Sequence, residues 1–146
     1  MFAKAPKKKQ QNVVVTPEFS RIVNVGSLPS RRAVLCKLLA KDSERRGLAL
    51  RFKLYQIPYF SANVTLERQS KSEILVNGKI EAHIKYSEIV DDEVVEVDFE
   101  SLVLDNHGSS TGPSLEDAVD YDDEVDARGD IDVGELSAQY LALELI

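Results

Sequence analysis

Three segments in the middle of the chain alternate between apolar and polar residues with a period of two. The apolar positions are Phe60, Ala62, Val64 and Leu66 in the first segment, Ile74, Val76, Ile80, Ala82 and Ile84 in the second, and Val95, Val97, Phe99 and Val103 in the third. Successive side chains of a strand point to opposite faces, so this period is typical of a strand with one buried face. The pattern predicts three half-buried strands.

The second of these segments contains Asn77-Gly78, a pair that is typical of a two-residue hairpin turn. A turn at this point would place Val76 opposite Lys79, whereas the apolar phase runs through Gly78 unbroken. We therefore predict one long strand over residues 73–85, with Gly78 at a bulge or a close backbone approach. Shorter apolar runs at residues 20–25 and 33–39, separated by a turn, predict two further strands.

A helical period appears at residues 42–54, after the last of the short runs. Asp42 is a predicted N-cap, and Leu48, Phe52 and Tyr55 recur at positions i, i+4 and i+7, which predicts one face towards the core.

A second helix is predicted at residues 132–145. Asp132 supplies its N-cap and Glu135 the capping-box partner three residues later. Leu136, Tyr140 and Leu143 form the predicted buried stripe.

The remaining segments lack periodicity. Residues 105–130 contain nine acidic residues and one basic residue, Arg128, which predicts a long, solvated acidic loop. Residues 1–16 are rich in lysine and predict a flexible basic arm. With 146 residues the chain fits one domain. The predicted fold is a single α+β domain over residues 17–146: a mainly antiparallel β-sheet with two helices and a long, acidic, disordered loop.

The net charge of −7 conceals an uneven distribution of charge along the chain. Residues 1–53 contain 13 basic and three acidic residues, a balance of +10, whereas residues 54–146 contain five basic and 22 acidic residues, a balance of −17. Basic groups suit phosphates, and acidic groups repel nucleic acid or attract a basic protein. The candidate RNA contacts are Lys7, Lys8, Lys9, Arg31, Arg32, Arg45, Arg46 and Arg51. The candidate protein contacts are Asp120, Asp122, Asp123 and Glu124. The alternative is that these charges only keep the surface solvated.

Catalytic motifs receive little support. Gly108 to Gly112 has the spacing of a nucleophile elbow around Ser110, but no histidine follows it and the chain is too short for the parallel sheet that carries such a serine. A small serine hydrolase is therefore the weakest alternative.

Metal, thiol and membrane chemistry are not expected either. The carboxylates from Asp120 to Asp126 lack the glycine and the glutamate of a calcium loop, so no cofactor is predicted. The single cysteine, Cys36, lies in an apolar run and favours a buried thiol in a reducing cytoplasm. No segment has the length and apolar character of a membrane span, so no membrane partner is expected.

Three segments carry a resemblance to a known family. They are Glu18-Phe19-Ser20-Arg21-Ile22-Val23, the predicted helix at residues 42–54, and the acidic block at residues 120–126 followed by the capped C-terminal helix. In this order they resemble the YceD-like large ribosomal RNA accumulation proteins, particularly the alphaproteobacterial type. The resemblance implies a non-enzymatic factor that supports accumulation of large-subunit (23S) ribosomal RNA, with that RNA or a pre-ribosomal particle as partner. An adaptor that binds a basic ribosomal protein through the acidic loop is the alternative.

Overall fold

A computed structural model describes residues 17–105, 121–126 and 128–146. The predicted arm at residues 1–16 and the part of the predicted loop at residues 106–120 lie outside the described residues. Within the described part, the chain forms two helices and a mainly antiparallel arrangement of strands. The predicted α+β class is therefore confirmed.

In the part of the chain that the structure describes, seven strands, two α-helices and one short 3-10 helix (Val25–Ser27) follow one another. The strands are β1 (Ile22–Asn24), β2 (Val34–Leu39), β3 (Gln56–Ser70), β4 (Glu73–Lys85), β5 (Glu93–Leu104), β6 (Asp123–Glu124) and β7 (Asp130–Asp132), and the helices are α1 (Asp42–Phe52) and α2 (Val133–Leu145). The large sheet has the order β2-β3-β4-β5-β6 and is antiparallel except for the parallel pair β5-β6. β1 and β7 form a separate antiparallel pair.

The large sheet buries one face. All the even-numbered apolar positions predicted for β3 and β4 are buried, and Val97, Phe99 and Val103 of β5 are buried on the same face. Leu48 of α1 and Leu141 of α2 belong to the same core, so both helices cover this face. The opposite face carries mostly polar side chains. The predicted strand phases are confirmed.

Gly78 lies where the backbone of β4 meets an aromatic ring. The ladder continues in register through it, with Val64 on one side and Phe99 on the other. A Cβ atom at this position would lie 2.0 Å from Cε2 of Phe99. The register shifts occur elsewhere, at the two ends of the β3-β4 ladder. The single long strand is confirmed, and Gly78 serves the close approach, not a bulge.

The end of α1 differs from the prediction. Lys53 adopts a left-handed conformation with φ of 60°, and its N–H bonds to carbonyls of the last helical turn. The helix therefore stops at Phe52, and Tyr55 leaves the helical stripe. Tyr55 is 52% exposed, so its predicted place in the core was wrong.

Each helix has a glutamate in its first turn, Glu44 in α1 and Glu135 in α2, and the two carboxylates have different partners. Lys41, not Asp42, is the N-cap of α1, and its backbone N–H donates to the Glu44 carboxylate at 2.8 Å. In α2 the predicted cap is confirmed, because Asp132 accepts from the backbone N–H of Glu135 at 3.0 Å. The Glu135 carboxylate binds an arginine of α1, as described below.

The buried face of α2 is rotated from the predicted one. Leu136 is buried as expected, and Tyr140 packs partly against the core. Leu141 is fully buried, however, and Leu143 is 63% exposed. Leu143 follows Leu141 by two residues, which is roughly 200° around a helix, so burying one exposes the other.

The described end of the predicted acidic loop is attached to the domain. β6 runs beside the end of β5, and Val125 is buried. Asp126 accepts hydrogen bonds from the backbone N–H groups of Arg128 and Asp130. From residue 121 onwards the described chain is therefore held against the sheet.

Candidate functional site

Arg51, one of the candidate RNA contacts, joins three parts of the domain. Its guanidinium donates to both oxygens of Glu135 on α2, each at 2.9 Å, and to Glu18 at 3.1 Å. The hydrogen bond from Arg51 is the main reason why the pKa of Glu135 lies below its usual value. Arg51 is therefore engaged inside the domain and is a poor candidate for binding phosphate.

A second ionic cluster lies beside the first. Arg21 forms a two-pronged pair with Glu44 of α1, at 2.7 and 3.0 Å. Its backbone N–H donates to one oxygen of Asp132 at 2.8 Å, and the Ser20 hydroxyl donates to the other at 2.6 Å. The hydrogen bond from Arg21 holds the pKa of Glu44 below its usual value. Asp132 thus caps α2 and also fixes the chain that leads into β1.

Arg45 and Arg46 line a groove between α1 and the start of β3. The groove has a volume of about 400 Å³, and Leu50, Tyr55 and Gln56 also line it. Here the structure puts two candidate RNA contacts beside an apolar surface and the exposed ring of Tyr55. We call this place the α1–β3 groove.

The two arginines of the α1–β3 groove are held to different degrees. Arg46 pairs with Asp42, and both side chains are largely exposed. Arg45 donates to the carbonyl of Ala40 at 2.7 Å and makes a longer contact of 3.4 Å with Asp42. The Nε atom of Arg45 is buried and has no partner among the described residues. Arg46 is consequently the more available cation.

The remaining basic candidates lie apart from this groove. Arg31 and Arg32 are exposed, precede β2 and form no ion pair with another described residue. Arg31 has φ of 62°, in the left-handed region. The six residues of β2 separate them from α1, a length of about 20 Å. Lys7, Lys8 and Lys9 lie outside the described residues.

The acidic candidates border a second depression, which we call the acidic cleft. It has a volume of about 200 Å³ and is lined by six carboxylates, those of Asp123, Glu124, Asp126, Asp130, Asp132 and Glu135. Partial burial is the main cause of a raised pKa at Asp123. The cleft concentrates negative charge between β6 and α2.

Asp122 has a different role from its neighbours. Its backbone N–H donates to the carbonyl of Leu102 at 2.9 Å, and its carboxylate accepts from the Leu102 N–H at 2.8 Å. Asp122 therefore attaches this segment to the edge of β5. Asp123 and Glu124 remain exposed in the acidic cleft, and Asp120 lies outside the described residues.

Two residues of the α1–β3 groove were missed by the sequence reasoning. Tyr55 was assigned to the core, and Gln56 was given no role. Their position depends on the left-handed turn at Lys53, and lysine gives no signal for that conformation. A glycine there would have indicated the helix end.

The described residues contain no group of three or more His, Cys, Asp or Glu side chains arranged to hold a metal ion. They also contain no helix with the length and apolar character needed to cross a membrane. Comparison of the chain with protein-family models, with curated proteins and with solved structures finds no match.

Proposed function

We propose that this chain is a non-enzymatic factor of ribosome biogenesis that supports the accumulation of large-subunit ribosomal RNA. The observation that carries the proposal is the convergence of the three segments that resemble the YceD-like family. Arg51 of the first helix binds Glu18 of the N-terminal segment and Glu135 of the C-terminal helix. Three similar segments that contact one another in the fold support a resemblance to the family's architecture better than three separate short motifs would.

A binding role also agrees with the chemistry of the described residues. Burial raises the pKa of the Cys36 thiol, so it is not an activated nucleophile. His83 contacts Glu81 and the ring of Tyr59, and it forms no hydrogen bond with a serine, threonine or cysteine among the described residues. A nucleophile needs an adjacent base to be activated, and none of these groups forms such a pair. Ser110 lies outside the described residues, and Ser110→Ala tests it directly.

Contact with RNA through the α1–β3 groove is the mode that we favour. It is lined by two arginines, whose guanidinium groups suit phosphate oxygens, and Arg46, Leu50 and Tyr55 are exposed along it. Arg51 does not contribute, because its donors are used by Glu135 and Glu18.

The acidic cleft supports a second candidate, an adaptor for a basic ribosomal protein. The six carboxylates outnumber the neighbouring cations, which are Arg51 at Glu135, Arg21 near Asp132 and Arg128 near Asp126. The excess of negative charge creates a potential that attracts lysine and arginine side chains. Asp123→Asn with Glu124→Gln would reduce this potential without removing the strand attachment made by Asp122. Weaker capture of basic ribosomal proteins by this double variant would favour the adaptor.

The test of the proposed function is depletion of the protein from its native cells. We expect large-subunit ribosomal RNA to fall relative to small-subunit RNA, and re-expression of either the wild type or Ser110→Ala to restore it. Equal loss of both RNAs would contradict the proposal. Failure of a stably folded Ser110→Ala protein to restore the ratio would instead indicate catalysis.

A further inference from the structure

The α1–β3 groove combines an aromatic ring with cations. Tyr55 is 52% exposed, and it lines the same groove as Arg45, Arg46 and the highly exposed Leu50. The left-handed Lys53 ends α1, so Tyr55 no longer lies on the apolar face of the helix. The backbone N–H of Tyr55 then donates to the carbonyl of Lys85 at 3.0 Å, so the ring projects from a fixed point of the sheet.

We infer that this groove binds one nucleotide of a single-stranded RNA. The Tyr55 ring stacks on the base, Arg46 binds a neighbouring phosphate, and the Gln56 amide meets the edge of the base. This inference rests on the proposed function and deepens it, because it names the form of RNA and the residues that hold it.

The dimensions and the surface chemistry fit that occupant. A volume of about 400 Å³ lies within the roughly 300–1,000 Å³ range of small-molecule sites. Bases of single-stranded RNA stack on aromatic rings, and their exposed edges accept and donate hydrogen bonds. The side-chain amide of Gln56 offers both a donor and an acceptor. An acidic peptide would use the arginines and could bond to the amide, but it offers no planar base to stack on the ring.

Asp42 competes with RNA for Arg46, so the direction in which its removal changes RNA affinity tests the inference. It holds Arg46 in an ion pair whose two side chains are 68% and 70% exposed. Exposed ion pairs of this kind are weak, so a phosphate can replace the carboxylate at Arg46. Removing the charge of Asp42 should therefore strengthen RNA binding, whereas a role for Asp42 in contacting the RNA would predict the reverse.

The experiment measures binding of the full chain to fluorescent single-stranded RNA of about ten nucleotides by anisotropy, over a series of salt concentrations. Tyr55→Ala should raise the Kd by about 5- to 100-fold. Tyr86→Ala is the matched control, because Tyr86 is 54% exposed and does not line the groove. It should leave the Kd unchanged.

Two charge variants complete the set. Arg46→Gln should weaken binding and lower the salt slope by about one, since one fewer counterion is released. Asp42→Asn should tighten binding. Thiouridine-containing RNA, crosslinked by light and mapped by mass spectrometry, should attach to the peptide that contains Tyr55.

Several results would overturn the inference. One is an equal effect of Tyr55→Ala and Tyr86→Ala, together with crosslinks confined to other peptides. If adenosine monophosphate displaced the labelled RNA at the same concentration as unlabelled RNA does, the groove would be a mononucleotide site. Binding of an acidic peptide that is insensitive to Tyr55→Ala and excludes RNA would indicate a protein partner.

The binding measurements and the depletion experiment can fail independently of one another. If Tyr55→Ala abolishes RNA binding but restores large-subunit RNA in depleted cells, the groove is not the functional contact and the proposed function stands. If depletion has no effect on that RNA, the proposed function fails even where the groove binds RNA in solution.

Discussion

Gly78→Ala tests the close contact between β4 and β5. The added methyl group would lie 2.0, 2.3 and 2.8 Å from three atoms of the Phe99 ring. The ring has little freedom to retreat, because Phe99 is only 7% exposed and stacks on Tyr140 of α2 with centroids 4.4 Å apart. Either the β4-β5 ladder or the Phe99–Tyr140 stack must yield.

The expected cost follows from two destabilising contributions and one stabilising contribution. Overpacking of a core costs about 1–3 kcal/mol, and loss of an aromatic stack costs about 0.5–1.5 kcal/mol. Replacing glycine by alanine in a strand stabilises the fold by about 0.5–1 kcal/mol, because the unfolded chain loses backbone freedom. We expect a net loss of about 2 kcal/mol of unfolding free energy, which for a domain of this size lowers the Tm by about 4–8 °C.

Urea unfolding followed by circular dichroism measures this loss. Gly26→Ala is the control, because Gly26 is exposed and the nearest atom to an added Cβ is a side-chain oxygen of Asn24 at 3.0 Å. It should change stability by less than about 0.5 kcal/mol. Combining Gly78→Ala with Phe99→Leu should cost less than the sum of the two single changes, since the smaller side chain relieves the clash. Wild-type stability of Gly78→Ala, or strict additivity in the double variant, would refute the contact.

Three further predictions concern charge and packing. Arg51→Gln should lower the unfolding free energy by about 1–2 kcal/mol because Glu135 loses a two-pronged partner, whereas Arg46→Gln should change it by less than about 0.5 kcal/mol; denaturant unfolding of both variants checks this contrast. The pKa values of Glu44 and Glu135 are lowered by folding, so their contribution to stability is present above their usual pKa of 4.5 and is lost as the pH falls through their lowered values; Glu135→Gln should flatten the decline in unfolding free energy below pH 4.5, measured by denaturant unfolding at a series of pH values. Leu136→Asp should lower the Tm by several degrees, because Leu136 is 5% exposed and a charge would be buried without a partner; an unchanged Tm would show that α2 is not packed.

The sheet could be predicted from the sequence because burial on one face imposes a period of two over many residues. The same argument placed Gly78 inside a strand, since a turn there would have moved apolar residues to the wrong face. The cap of α2 at Asp132 was also predictable, because an N-cap acts on backbone groups only three residues away.

Features that depend on distant residues were not predictable. The role of Arg51 is set by Glu135, 84 positions away, and no local pattern pairs them. The exposure of Tyr55 follows from the left-handed Lys53, a conformation that lysine rarely adopts. The orientation of α2 was misjudged because Leu136, Tyr140 and Leu143 satisfy a helical period as well as the observed buried face does. The burial of Leu141 and the exposure of Leu143 distinguish the two, and both are set by how α2 packs on the sheet.

The pairing of β1 with β7 has a consequence for how the chain is made. Ser20 and Asp132 bond across 112 positions, and Phe19, which is fully buried, lies beside them. At synthesis rates of roughly 5–20 residues per second, the strand at residues 22–24 waits about 5–20 s for its partner to be translated. During that interval the Phe19 ring has no completed core and is a natural target for chaperones. Native pairing of the N-terminal segment therefore waits until residue 132 has been synthesised, and a nascent chain stalled before residue 130 would remain a substrate for quality control.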